Sequence, residues 1–190
     1  MLMCLRLVAL STLLVLLVLQ DLQTVFEGLL VGWFVFWVLG SIVTHKCFTH
    51  NAFEMKSWLK PIMLYLPNLL LFGSVLAWSS VHVHHHKYSD KSKDPHSPKE
   101  YSALASFFVS FKEPTSMLSK RDLLRNKWAI FFHTHYDLSV LLGIGAIACC
   151  GTQALTFYFL IVIYAQIAMF FSSYVYHSAI PFLHYRNYST

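Results

Sequence analysis

The chain has 190 residues, 56% of them hydrophobic and only 12% charged, with a mean hydropathy of +0.54. A soluble domain carries about 25% charged residues, so an ordinary soluble domain is excluded and an integral membrane protein is indicated. The formal charge of +5 comes from 14 Lys and Arg confined to Arg6, 46–60, 87–99, 112–127 and Arg186. These flank apolar runs and form no separate basic face, which reads as positive-inside topology and argues against nucleic-acid binding.

Residues 1–20 form a leucine-rich run broken by Arg6. No small-x-small cleavage site follows it, so a first transmembrane helix is expected rather than a signal peptide, with Arg6 snorkelling to the basic side. Asp21 and Glu27 are expected to bracket a short acidic turn. Residues 28–44 make a second span, whose 17 residues reach ~26 Å against a hydrocarbon core of ~30 Å. Residues 61–81 are apolar but interrupted by Pro61, Pro67, Asn68 and Gly73. Residues 82–127 are polar and basic, with an amphipathic piece near 101–111. Residues 136–150 and 153–176 form an apolar helical hairpin around Gly151. No internal repeat divides the chain, so one domain is expected over 1–190.

Four cysteines, at 4, 47, 149 and 150, have no C-x-x-C spacing, so neither a disulfide framework nor a cysteine-ligated zinc site is expected. The anomaly is eleven histidines. His45 and His50 form an H-x4-H pair at the end of the second span. His82, His85 and His86 follow an H-x-x-H-H spacing, which aligns three imidazoles on one helix face. His84 lies off that face, about 100–200° around the helix. His177, at the end of the last span, is a third candidate. Imidazole without thiolate suits iron, zinc or copper. Six histidines exceed one tetrahedral site, so a pair of metals is the more natural reading, and two irons can activate dioxygen. Asp90, Asp94 and Glu54 are candidate partners to orient the ligands. Isolated histidines such as His133, His135 and His184 read as interfacial residues, and His96 reads as a ligand or as part of a turn. Trp78 shares a helix face with His82, as core packing or as the wall of a substrate channel.

If both histidine groups serve one centre, the chain between them crosses the membrane zero or two times. Residues 51–81 hold one apolar stretch, too little for two crossings, so 61–81 is expected not to span. The fold class expected is all-α integral membrane: four transmembrane helices, a non-spanning apolar segment and a cytosolic histidine-rich helical cap over 82–127. All positive charges then share the histidines' face.

The order H-x4-H, about thirty intervening residues, then W-x3-HxxHHKYSD-x3-DPHSP resembles the membrane fatty acyl desaturases, closest to the acyl-CoA or stearoyl delta-9 type and bacterial relatives. Arg121 to Tyr136 is also similar to that family's entry into its third span. The resemblance implies a di-iron, oxygen-dependent enzyme that inserts a cis double bond into a long acyl chain. It implies two iron ions held by His45, His50, His82, His85, His86 and His177. It further implies a fatty acyl-CoA or acyl-lipid substrate, dioxygen, and electrons from a b-type cytochrome or a ferredoxin with its reductase. The membrane is the endoplasmic reticulum or a bacterial inner membrane, with the boxes on the cytosolic side. Lys87 and Lys91, with Lys93 and Lys99, are expected either to bind a phosphate-bearing head group or to be plain positive-inside flanks.

The chain departs from the family pattern at Val83, where a basic residue is usual, and at Ser173, where asparagine is usual. The gap from His177 to Tyr185-Arg-Asn is also long. No second HxxHH box is present, so the chain is expected to be a C-terminally incomplete fragment that holds iron poorly. Two other functions remain open: a related di-iron hydroxylase or ketolase, and a non-catalytic membrane scaffold.

Overall fold

A computed structural model describes residues 21–89, 91, 93–94 and 117–172. The expected first span, the amphipathic piece near 101–111, Asp90, His96, Lys99, Ser173, His177 and His184 lie outside the described residues.

The first described helix, α1 (Leu22–Val35), begins where Asp21 supplies its carboxylate as the N-cap. Asp21 Oδ1 accepts from the Thr24 backbone at 2.8 Å and Oδ2 from the Thr24 hydroxyl at 3.0 Å. This satisfies one of the orphan donors at a helix start. Glu27 is inside the helix, bonded by Gln23 at 2.8 Å. The acidic turn expected over 21–27 is therefore helix. Hydropathy marks only the apolar part of a helix, whereas capping sets where it begins.

From Phe36 to Thr49 the same helix continues with π geometry. The hydroxyls of Thr44 and Thr49 reach back five residues, to Leu39 O and Thr44 O, each at 2.7 Å. The whole unit Leu22–Thr49 has 28 residues, well above the ~20 needed to cross a bilayer.

α2 (Lys60–Tyr65) tightens into a 3₁₀ turn (Leu66–Leu70), and α3 (Val75–Tyr88) follows after a bend of 75°. A 3₁₀ turn (Leu118–Lys120) and the short α4 (Arg121–Leu124) precede α5 (Lys127–Thr134). α6 (Tyr136–Cys149) is bent 80° from α5. Gly151 then turns the chain at φ +106°, a conformation that glycine adopts without strain, into α7 (Thr152–Phe170). All the regular structure of the described residues is helical. Two helices, Leu22–Thr49 and Thr152–Phe170, are long and apolar enough to cross a membrane, or four if each bent pair counts as one crossing.

α1 and α7 pack through Gly28 and Gly32. A Cβ on Gly28 would lie 2.9 Å from Leu160 Cβ, and one on Gly32 2.9 Å from Tyr164 Cβ and 3.2 Å from Ile161 Cα. Small residues four apart let helix backbones approach where lipid provides no hydrophobic drive.

The break between α2 and α3 is the structural centre. Leu64, Leu70, Leu71 and Leu76 around it are at most 2% exposed. A backbone that leaves the α-helix in so buried a stretch must find partners within the protein. Tyr136 donates to Asn68 O at 3.2 Å, Tyr158 to Leu69 O at 2.9 Å and Gln166 to Leu70 O at 2.8 Å. Three successive carbonyls at the break thus accept from side chains of α6 and α7, the first of them, Asn68 O, also from Leu71 N at 3.1 Å. Tyr136 Oη also accepts from Gly73 N at 3.3 Å.

Candidate metal centre

Two boxes from distant stretches meet at one end of the bundle. His45 and His50 come from the π-helical end of α1. In an α-helix, residues five apart lie about 140° apart around the axis. The wider turn of an i→i+5 helix instead returns residue i+5 to the same side as residue i. The His50 N–H bonds the His45 carbonyl at 3.1 Å in that pattern. The π segment is therefore what makes an H-x4-H spacing converge, and the two ring centroids are 4.6 Å apart.

His82 and His86 are one α-helical turn apart on α3, with ring centroids 4.5 Å apart. The start of α3 is held by Ser74, whose hydroxyl accepts from Ala77 N at 3.2 Å and lies 2.7 Å from His133 Nδ1 on α5. His133 thus has a structural role. His135 stacks on Phe131 at 4.7 Å, away from the centre.

The two pairs face each other. His45 lies 4.7 Å and His50 5.5 Å from His82 between ring centroids, and His50 lies 4.9 Å from His86. One ring nitrogen from each of His45, His50, His82 and His86 falls in a group whose members all lie within 4.8 Å of one another. The Nε2 atoms of His45 and His50 are 3.1 Å apart, and those of His82 and His86 are 2.9 Å apart. An ion held about 2.1 Å from each nitrogen leaves neighbouring nitrogens roughly 3–4 Å apart. The donor set therefore fits a metal ion, and its all-imidazole chemistry suits iron, zinc or copper.

His85 does not join this group. Its Nδ1 lies 2.7 Å from Asp94 Oδ1, with side chains 8% and 0% exposed. That is the carboxylate–histidine pairing that fixes a ring's tautomer and orientation. Of the carboxylates expected to orient ligands, Asp94 does meet a box histidine, while Glu54 is exposed. His84 is turned away, with Nε2 3.1 Å from Lys93 O and its ring 4.7 Å from Tyr88. Trp78 lies flat on His82 at 4.7 Å with 11° between planes, and it also packs against the core around Leu70 and Phe72. Lys87 and Lys91 are exposed, and Lys87 Nζ sits 5.3 Å from the Tyr88 ring.

Some residues that build the centre were not singled out from the sequence. Thr49 hydrogen-bonds Ser79 at 2.8 Å and so ties the end of α1 to α3. Lys120, 3% exposed, donates to Thr49 O at 3.1 Å and pairs with Asp122 at 3.0 Å. A cation suits this site because a helix C-terminus carries partial negative charge. Partial burial, and after it the Lys120 charge, hold the His50 ring below the ordinary imidazole range. The ring is then neutral near pH 7, as a ligand must be. Nothing in the spacing around Lys120 marks it in the sequence, whereas the unread GxxxG spacing of Gly28 and Gly32 could have marked the close approach of α1 and α7.

Comparison with known proteins accords with this geometry. The model of the family described as fatty acid desaturase matches residues 22–190. Hex-5-enoyl-(acyl-carrier protein) acetylenase of Moorena producens is 28% identical over 62% of this chain and 41% of its own length. Delta-9 acyl-lipid desaturase 2 of Arabidopsis thaliana is 34% identical over 35% of this chain and 23% of its own length. The sn-1 stearoyl-lipid 9-desaturase of Synechocystis is 38% identical over 27% of this chain and 16% of its own length. The chain thus spans less than half the length of these curated relatives. No solved structure matches it. The family model covers all but the first 21 residues, and the chain belongs to the fatty acid desaturase family.

Proposed function

We propose that this chain carries one half of the metal centre of an oxygen-dependent desaturase, which forms a cis double bond in a long fatty acyl chain. The convergence of His45, His50, His82 and His86 carries the reading. Family membership and relatives named as delta-9 desaturases support it. Two irons, when bound, supply the activation of dioxygen needed to take hydrogen from an unactivated alkyl C–H. The net reaction removes two hydrogens from the acyl chain, uses two electrons and two protons, and reduces dioxygen to two waters.

The chain's own residues bind and orient. His45, His50, His82 and His86 hold one ion. His85, oriented by Asp94, and His177 serve the second. Trp78 forms the wall beside His82 against which the acyl chain lies. Lys87 and Lys91 meet a phosphate-bearing head group, of acyl-CoA or of a lipid, at the cytosolic surface. The bent pair α2–α3 enters and leaves the membrane on one side, so the boxes share that surface. A b-type cytochrome or a ferredoxin with its reductase delivers the electrons. The membrane is the endoplasmic reticulum or a bacterial inner membrane.

The test is expression in a host lacking its own delta-9 desaturase, with fatty acid methyl esters resolved by gas chromatography and mass spectrometry. A new cis-monoene, lost in His82→Ala, is the expected result when the chain is expressed within a protein that supplies the other half of the centre. An alcohol or ketone without an alkene would transfer the chain to the hydroxylase reading. Neither product, with no iron bound, would favour the scaffold reading.

A further inference from the structure

The end of α3 and the loop after it meet in strict register. His84 and His85 are consecutive, and they hydrogen-bond to the consecutive residues Lys93 and Asp94. The His84 ring donates through Nε2 to Lys93 O at 3.1 Å, and His85 Nδ1 lies 2.7 Å from Asp94 Oδ1. Both bonds bridge the same separation of nine residues. The loop is further closed by turns, Lys91 N to Tyr88 O and Asp94 N to Lys91 O, each at 2.9 Å. Asp94 is 2% and His85 6% exposed, so their pair is closed off from solvent.

His84 has no place in the four-histidine group. It sits at one of the two positions that the H-x-x-H-H spacing leaves free, yet its ring is not idle. It packs against Tyr88 at 4.7 Å with the rings tilted 47°, and the Tyr88 ring also has Lys87 Nζ at 5.3 Å and Lys93 Nζ at 5.8 Å. The Lys93 carbonyl belongs to the peptide that leads into Asp94. Fixing that oxygen restricts the two backbone torsions that aim the Asp94 side chain.

We propose that His84 is a positioning residue: by bonding the Lys93 carbonyl it holds the Asp94 carboxylate on His85. Removing the His84 bond lets the loop swing, and Asp94 then spends part of its time off the His85 ring. For its functional weight the inference rests on the reading of His85 as a metal ligand; its geometry does not depend on that reading.

Two readouts on the full chain in detergent separate the two ideas. In metal-free protein with ¹⁵N-labelled histidine, NMR follows solvent exchange of the His85 Nδ1 proton. His84→Leu is expected to speed that exchange roughly fivefold or more, as a local opening becomes easier. His84→Gln, whose amide nitrogen takes the place of Nε2, is expected to restore it. Cobalt(II) titration then reads metal affinity. His84→Leu should weaken it roughly 10-fold, as loss of an orienting partner does. In an Asp94→Asn background, His84→Leu should add little, because both changes act through one contact. Unchanged exchange in His84→Leu overturns the proposal, and so does an additive effect of the two substitutions on cobalt affinity. Faster exchange with unchanged cobalt affinity upholds the clasp and removes His85 from the ligands.

Discussion

Gln166→Leu tests whether the break between α2 and α3 is held by side chains from the other helices. Gln166 is 7% exposed and donates to Leu70 O at 2.8 Å. Leucine keeps most of the volume, so little cavity forms, but the Leu70 carbonyl loses its partner beside Ala165, which is 0% exposed. An orphaned buried acceptor costs ~1–3 kcal/mol. Interhelical hydrogen bonds in membranes average nearer ~0.6 kcal/mol, because the unfolded state in lipid also finds partners. The expected loss is therefore about 1–2 kcal/mol. Tyr158→Phe orphans Leu69 O in the same way, with a similar cost. The neighbouring carbonyls share one turn of backbone, so the double variant should lose more than the sum by roughly 0.5 kcal/mol or more. Tyr164→Phe, on the same helix, keeps its ring against Phe36 and should stay within about 0.5 kcal/mol. Stability is read by sodium dodecyl sulfate titration of the protein in mild detergent. Cobalt affinity should fall in parallel, since α3 carries His82 and His86 from this break. If Gln166→Leu and Tyr158→Phe both match Tyr164→Phe in stability and metal affinity, the carbonyl-pairing account is wrong.

Three further outcomes follow from the same geometry. Alanine at His45, His50, His82 or His86 should each weaken cobalt binding by at least ~100-fold, beyond the ~10–100-fold of an outer partner; a site that tolerates the loss of any one of them is not a four-histidine centre. Because the His50 ring is held below the ordinary range, it takes up protons less readily folded than unfolded. Its contribution to stability is therefore present above about pH 6.5 and is lost as the pH falls below that value. Metal affinity should decline in the same direction, and Lys120→Met, by removing a positive charge beside His50, should move the onset to higher pH. An onset moved to lower pH in a cobalt absorbance titration refutes the electrostatic account. Gly32→Leu should cost about 2–3 kcal/mol by overpacking, because its Cβ would meet Tyr164 Cβ at 2.9 Å and backbone at 3.2 Å. Gly145→Ala meets nothing within 4 Å and should be neutral or stabilising; equal losses at the two sites would show that α1 and α7 do not depend on close approach.

Much of this protein is written locally. Long apolar runs without charge suit membrane spans, so composition alone indicated the class. The pairing of His82 with His86 needs nothing but α-helical periodicity. The interruption by Pro67, Asn68 and Gly73 marks a break that local backbone chemistry cannot avoid. The departure of His84 from the metal face follows from the same periodicity.

Other features depend on partners far along the chain. The spacing of His45 and His50 points to divergence on an α-helix, and only the π geometry of Phe36–Thr49 brings them together. His85 shares the box spacing with His82 and His86, yet Asp94 draws it aside. The carbonyls of the break are satisfied from 68, 89 and 96 residues away, distances at which residue spacing carries no geometric information. Lys120 reaches Thr49 across 71 residues. The sequence by itself pointed to helices apolar enough to cross a membrane and to histidine groups whose spacing suits a metal ion. Only tertiary structure brought His45 and His50 to His82 and His86, because a candidate ligand set is defined by nitrogens a few ångströms apart, and helix packing, not order along the chain, brings them there.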